Sequence, residues 1–170
     1  MSSLFLVMLG GRHARANIEV HDVVIVVADC LEASFAQLRQ AWFGEQKGLH
    51  IDAWAKINGI EFAGQSYRIQ LTDKPPIVQQ QKLWLINLGG YDAQQFGELH
   101  RYIFVVAPNA AAAKQYGKQQ MASNWSKPHT DRVLDVDDCI AIDQVNGCYV
   151  QLVQDHFLEN SWANTYITIA

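Results

Sequence analysis

The stretch Leu4-Phe5-Leu6-Val7-Met8-Leu9-Gly10-Gly11 returns later in the chain as Leu83-Trp84-Leu85-Ile86-Asn87-Leu88-Gly89-Gly90. The offset of 79 residues then holds through Glu19-Val20-His21 against Glu98-Leu99-His100, and through Val26-Val27-Ala28 against Val105-Val106-Ala107. Of the 25 positions from Leu4 to Ala28, 11 are identical in the second stretch, where unrelated segments of ordinary composition share roughly one in fifteen. A fixed-period match of this kind marks an internal duplication. Further on the offset becomes 85, aligning His50 to Ile57 with Asp135 to Ile142, so the second copy carries six extra residues. They are placed in Asn124 to Arg132, where Pro128 and polar residues signal a loop.

Within the first copy, Leu4 to Leu9 and Val23 to Ala28 are short apolar runs that read as strands covered on both faces. The polar stretch Arg12 to Val20 between them is too weakly periodic to assign. Asp29 is a candidate N-cap, after which Leu31, Phe35, Leu38 and Trp42 form one helical stripe that Gly44 ends. In the second copy Asn109 takes the capping position, and Ala110 to Ala113, Tyr116 and Met121 give a smaller stripe that permits closer approach to a sheet. Two further strands follow each helix, Leu49 to Ile57 and Tyr67 to Leu71 in one copy, Val133 to Ile142 and Cys148 to Val153 in the other. Asn58-Gly59 and Asn146-Gly147 supply turn chemistry.

The expected fold is therefore α+β, with duplicated ββαββ units whose sheets are mostly antiparallel or mixed. Each is covered by one helix, and the two are related by a pseudo-twofold axis, since so short a unit gains stability by burying a face against its twin. The expected organisation is a first repeat over 1–72, a linker over 73–82 containing Asp73-Lys74-Pro75-Pro76 and Gln79-Gln80-Gln81, a second repeat over 83–154, and an extension over 155–170. The alternation Thr165-Tyr166-Ile167-Thr168-Ile169 in the extension reads as an added edge strand or a partner contact.

A chain of 170 residues that is 49% apolar can build a sizeable core, and its net charge of -4 offers no attraction to phosphate backbones, which argues against nucleic-acid binding. Leu4 to Leu9 is too short to span a membrane and recurs at Leu83, so it belongs to the fold rather than to a targeting signal. Cys30, Cys139 and Cys148 form neither a disulfide set nor a ligand pair, which places the chain in a reducing cytoplasm with the thiols as small buried fillers.

The sharpest chemical signal is the duplicated Glu-x-His. Residues i and i+2 of a strand share a face, so Glu19 with His21, and Glu98 with His100, each offer a carboxylate and an imidazole. If the four met near the pseudo-axis they would suit Zn²⁺ or a related divalent metal. The simpler reading, which is preferred, has each His bonded to a carbonyl of the Gly-Gly segment and each Glu capping an amide or facing water. Gly10, Gly11 and Arg12, and likewise Gly89, Gly90 and Tyr91, form a second candidate, a loop whose amides bind an anionic small molecule. The alternative is a strand-end turn or bulge that needs backbone angles only glycine tolerates. His50 and Asp52 share a strand face as a conceivable acid/base pair, with Asp137 equivalent to Asp52 and Asp135 in place of His50; a solvent-facing strand edge is the preferred reading. Asp135, Asp137 and Asp138 lack the spacing of a calcium loop, and Trp42, Trp54, Trp84 and Trp125 read as packing residues.

Taken together, Leu4 to Arg12, Asn17-Ile18-Glu19-Val20-His21-Asp22, Leu49-His50-Ile51-Asp52-Ala53-Trp54, Leu88-Gly89-Gly90-Tyr91 and Glu98-Leu99-His100 resemble the small bacterial family known as domain of unknown function DUF1543. The resemblance covers Leu4 to Thr72 and Leu83 to Val153, and it implies one or two copies of a domain without an assigned activity, substrate or cofactor. The residues favour a small cytoplasmic, non-catalytic binding or protein-interaction module, homo-oligomeric or bound to a protein partner. The alternatives are a metal-dependent, hydrolase-like enzyme using the Glu-x-His pairs, with bound water as nucleophile, and a structural subunit of a larger assembly.

Overall fold

The computed structural model of the chain describes residues 2–76, 80–91, 94–124 and 135–169. The expected insertion loop around Pro128, Trp125 and Gln79 of the linker lie outside the described residues, as do the side chains of Met121 and Asp135. The described residues are α+β, with antiparallel sheets and two α-helices. They divide into two units: Met1–Lys74 with Gln144–Tyr149 and Val153–Ala170, and Pro75–Asp143 with Val150–Leu152.

In the first unit, β1 (Ser3–Gly11) is the centre of a four-stranded sheet, flanked by β2 (Val20–Ala28) and β3 (His50–Ile57). The fourth strand, β11 (Ser161–Thr168), comes from the extension and pairs antiparallel with β3, so the alternating segment there is an edge strand. Phe5, Val7 and Leu9 of β1, with Val26 of β2 and Ile51 of β3, form one apolar face. Onto it pack Leu31, which precedes a single 3-10 turn (Glu32–Ser34), Leu38 of the short helix α1 (Phe35–Ala41), and Trp42, which follows that helix in an extended conformation, so the expected helical stripe from Leu31 to Trp42 is only partly helical. The opposite face is covered only in part, because Leu6, Met8 and Ile25 are half-buried, where burial on both faces was expected. The helix also starts later than Asp29, whose carboxylate instead accepts a hydrogen bond from the Ser2 hydroxyl.

The smaller sheet has the order β4 (Gly59–Phe62), β5 (Gln65–Thr72), β10 (Cys148–Gln154), β9 (Gln144–Val145). Strands β4 and β9 go beyond the expected ββαββ plan. The turn between β4 and β5 is Ala63-Gly64, both at positive φ, and not Asn58-Gly59; Asn146-Gly147 does make its turn, with both residues at positive φ. Asn58 and Gly59 are instead held by Asn160. The Asn160 side chain accepts from both backbone amides, at 2.7 and 3.1 Å, and donates to the Gly59 carbonyl at 2.9 Å.

In the second unit, β6 (Lys82–Tyr91) is central between β7 (Glu98–Ala107) and β8 (Asp135–Ile142). The order β7-β6-β8 corresponds to β2-β1-β3 of the first unit, and both sheets are antiparallel throughout. Helix α2 (Ala110–Asn124) is capped as expected, the Asn109 side chain accepting from the Ala112 amide at 3.0 Å. Its buried positions are Ala113 and Gly117, while Tyr116, expected on the apolar stripe, is exposed. A methyl at Gly117 would press on Ile86 at 3.0 Å, so the close approach of this helix rests on glycine there.

Replacing Asn160 by Ala strips two amides and a carbonyl of their partner. We expect a loss of about 1–3 kcal/mol, read from the urea midpoint, since groups left unpaired in a partly buried turn each lose most of a hydrogen bond.

Candidate functional site

Antiparallel pairing places Gly10 of β1 directly between His21 of β2 and His50 of β3. Residues that oppose one another across an antiparallel sheet point to the same face, so this row carries two imidazoles with no side chain between them. Next to it the ladder slips: Met8 pairs with Ala53 and Leu9 with Ile51, which leaves Asp52 as the extra residue of a β-bulge. The bulge turns its carboxylate toward the same notch. Glu19, just before β2, reaches in from the fourth side.

The contacts close into a ring. His50 Nε2 lies 3.1 Å from Glu19 Oε1 and 3.3 Å from Asp52 Oδ1. His21 Nε2 lies 3.1 Å from Asp52 Oδ2 and 4.0 Å from Glu19 Oε2. A Cβ on Gly10 would fall 2.4 Å from Asp52 Oδ2 and 2.6 Å from His50 Nε2, which no side chain tolerates. Gly10 is thus required for space at the floor of the ring.

His50 is only 3% exposed, and its Nδ1 is 2.8 Å from the Gly48 carbonyl. A carbonyl can only accept, so Nδ1 carries the proton and Nε2 is the atom turned to the two carboxylates. Two carboxylates are thus held against one buried nitrogen, and a positive charge placed among them would relieve their mutual repulsion. Asp52 Oδ2 is buried and accepts no hydrogen bond, although His21 Nε2 is close to it. The rims formed by His21 and Glu19 are about half exposed, which leaves a way in for a small ion.

The second unit repeats the arrangement. Gly89 pairs with His100 on one side and stands opposite the backbone of Asp135 on the other. Asn87 pairs with Asp138 and Leu88 with Val136, leaving Asp137 as the bulged residue, equivalent to Asp52. The ligand atoms of Glu98, His100 and Asp137 all lie within 4.8 Å of one another. His100 Nδ1 is 3.3 Å from Asp137 Oδ2, and also 3.3 Å from Asn87 Oδ1. A Cβ on Gly89 would meet Asp137 Oδ2 at 2.4 Å and Glu98 Oε1 at 2.5 Å.

The Glu19/His21 and Glu98/His100 pairs therefore each gather an Asp from the third strand of their own sheet. His21 faces Asp52, not a glycine carbonyl, and His50 is buried rather than on a solvent-facing edge. Gly10, Gly11, Gly89 and Gly90 sit inside β1 and β6 without positive φ, so neither an anion-binding loop nor a turn requires them. Gly11 lies under the Trp42 ring, where a Cβ would meet Cζ2 at 3.0 Å. Arg12 follows the end of β1, and Tyr91, the last residue of β6, is 64% exposed. Nor are the cysteines buried fillers, since Cys30 is exposed and Cys139 and Cys148 are intermediate. Partial burial pushes the Cys139 thiol up from its ordinary range, against the opposing pull of Lys114. Trp42 and Trp84 are buried packing residues, and the indole N–H of Trp84 donates to the Ala107 carbonyl.

One ring contact lies outside anything expected from sequence. Tyr166 of β11 stacks on His50 with centroids 4.3 Å apart and planes 31° apart.

Residues 16–71 match the family model described as Domain of Unknown Function (DUF1543). Among solved structures the chain is similar to the crystal structure of protein Il1583 from Idiomarina loihiensis, at 31% identity and a TM-score of 0.75, with 100% of this chain and 99% of that chain covered. No curated protein matches. The chain belongs to the DUF1543 family. No helix among the described residues is long and apolar enough to cross a membrane.

Gly10→Ala drives a methyl into Asp52 and His50. The expected cost is about 1–3 kcal/mol of overpacking, with displaced His21 and His50 ring resonances in the NMR spectrum. Gly64→Ala, which meets open space but sits at φ +76°, is expected to cost about 1 kcal/mol and leave those resonances in place.

Proposed function

We propose that this protein is a divalent-metal-binding module whose principal site is Glu19, His21, His50 and Asp52. The observation that carries this reading is the ring itself. Two imidazole nitrogens and two carboxylates alternate around it, neighbours 3.1–4.0 Å apart, above a glycine whose Cβ would occupy the same space; among the described residues only Glu98, His100 and Asp137 already bring all their ligand atoms within 4.8 Å of one another, so the principal ring tightens around the ion it takes. Its inner wall is a nine-tenths-buried histidine and a buried carboxylate oxygen without a hydrogen-bond donor. That oxygen has the His21 imidazole 3.1 Å away but accepts no hydrogen bond, and a bound cation would supply the partner it lacks. A set of two nitrogens and two oxygens suits a borderline ion such as Zn²⁺, and also Co²⁺ or Ni²⁺. The Nδ1 bond to Gly48 is the kind of outer contact that fixes a metal-binding imidazole in one tautomer.

Glu98, His100 and Asp137 supply a second, weaker site in what the sequence reads as the other copy of the domain. With one imidazole instead of two, and no buried histidine among its three members, it holds the ion less tightly. The reading is of a binding module first. Hydrolysis through a metal-bound water is the second reading, favoured by the half-exposed rim at His21 and Glu19, which leaves a coordination position reachable from solvent.

Protein purified without an affinity tag and stripped with a chelator is titrated with Zn²⁺ by calorimetry and checked by elemental analysis. Two bound ions per chain of unequal affinity are expected. Asp52→Asn should weaken the tighter event by on the order of 100-fold or more, since loss of outer contacts alone typically costs 10–100-fold. Asp137→Asn should remove only the weaker one. A wild-type chain that takes up no Zn²⁺ would overturn the proposal.

A further inference from the structure

Among the described residues, the principal site has a wall that its counterpart lacks. Strand β11 comes from the extension beyond the second half, and its register against β3 slips at the same place as that of β1. Asn164 pairs with Ala53 and Ile167 with Ile51, so Thr165 and Tyr166 together stand opposite the bulged Asp52. The two bulges face each other across the β3–β11 pairing. Past the slip the ladder resumes with Thr168 opposite His50, and it is prolonged by the Ile169 amide donating to the Leu49 carbonyl at 3.0 Å. The Arg39 guanidinium then donates to the Ile169 carbonyl at 2.7 Å, tying the end of the strand to α1. These constraints seat the Tyr166 ring on His50.

That ring serves no evident packing purpose of its own, because Tyr166 is 68% exposed. What it does is confine the imidazole. His50 is held through Nδ1 by Gly48 and over its face by Tyr166, while Nε2 is left turned toward Glu19 and Asp52. An imidazole fixed at one nitrogen and stacked on a ring has little rotational freedom left to lose when the other nitrogen takes up an ion, and affinity rises as that cost falls.

Resting on the metal-binding reading above, we infer that Tyr166 is a positioning residue of the principal site: it orients His50 for coordination through ring stacking and without donating a ligand. The hydroxyl is not part of the role; the ring is. Tyr166→Phe is therefore expected to behave as wild type, whereas Tyr166→Ala is expected to lower the affinity of the principal site by about 10-fold, the lower end of what loss of an orienting contact costs.

Co²⁺ is the probe, because its visible d–d bands report the geometry of the ligand set as well as occupancy. The full-length chain and the variants Tyr166→Ala, Tyr166→Phe and Trp162→Ala are each titrated with Co²⁺. Trp162 is the control, an aromatic residue exposed on the same strand and paired with Ala55, away from the ring of ligands. The inference predicts a weakened affinity with altered d–d bands for Tyr166→Ala alone. Equal weakening in Trp162→Ala would trace the effect to loss of the strand and overturn the inference, as would a Tyr166→Ala chain that binds Co²⁺ like wild type. Weakening in Tyr166→Phe would also overturn it, by giving the role to the hydroxyl. In these cases the wild type still binds and the metal-binding reading stands; a wild type that binds no Co²⁺ removes both together.

Discussion

A side chain is missing from the middle of a cross-strand row, and the local chemistry depends on that omission. Neighbours directly opposed on an antiparallel sheet are only about 5 Å apart at Cβ, so any residue at the central position would separate the two that flank it. With glycine there, the flanking groups close over the backbone and approach one another. A bulge on the third strand then adds a carboxylate that regular alternation would not deliver in that place. Glycine inside a strand and a break in the ladder both weaken a sheet. That the two occur together, in each unit, at equivalent register, assigns them to the ring of polar groups and not to the stability of the sheet.

The two units diverge where the chemistry is decided. The residue paired with the central glycine is His50 in the first unit and Asp135 in the second, so the second cluster has one imidazole fewer. The first unit alone receives β11 and its stacked tyrosine. Asn87 beside His100 adds a neutral oxygen to the second cluster where the first has Met8. The outcome is one ring with a buried histidine at its inner wall and one cluster without such a residue among its three described members. Solvation favours rapid exchange and low affinity, and enclosure favours retention.

Much of the strand and helix pattern was legible because apolar runs and a helical stripe are local properties. The Leu4 and Leu83 runs became the central strands, and Leu31, Leu38 and Trp42 are buried together as expected, although only Leu38 of the three lies within the helix. The site was legible only in pieces. Glu19 with His21, and Glu98 with His100, stand out by spacing, and His50 with Asp52 suggested a pair. What the sequence could not announce is a register slip: a bulge is set by the partner strand, and nothing local to Asp52 distinguishes an extruded aspartate from an ordinary one. The same holds for Gly10, whose need arises from the side chains of His50 and Asp52, about forty positions away. Glycine pairs after an apolar run suggest a turn, and here tertiary space, not backbone angle, was the reason for them. Tyr166 was unreadable for a related cause, since its partner lies more than a hundred residues upstream on a strand it meets only in the folded sheet.

The position of β11 also sets an order of assembly. During synthesis β1, β2 and β3 emerge early and can pair with one another, yet β3 then presents an open edge. The strand that covers this edge is synthesised only after the second half, and domains ordinarily mature in the order in which they appear. The N-terminal unit is thus begun first and finished last. Until β11 is made, β3 carries an uncovered, aggregation-prone edge, so the sheet that bears the ring of Glu19, His21, His50 and Asp52 is closed only by a segment made more than a hundred residues later.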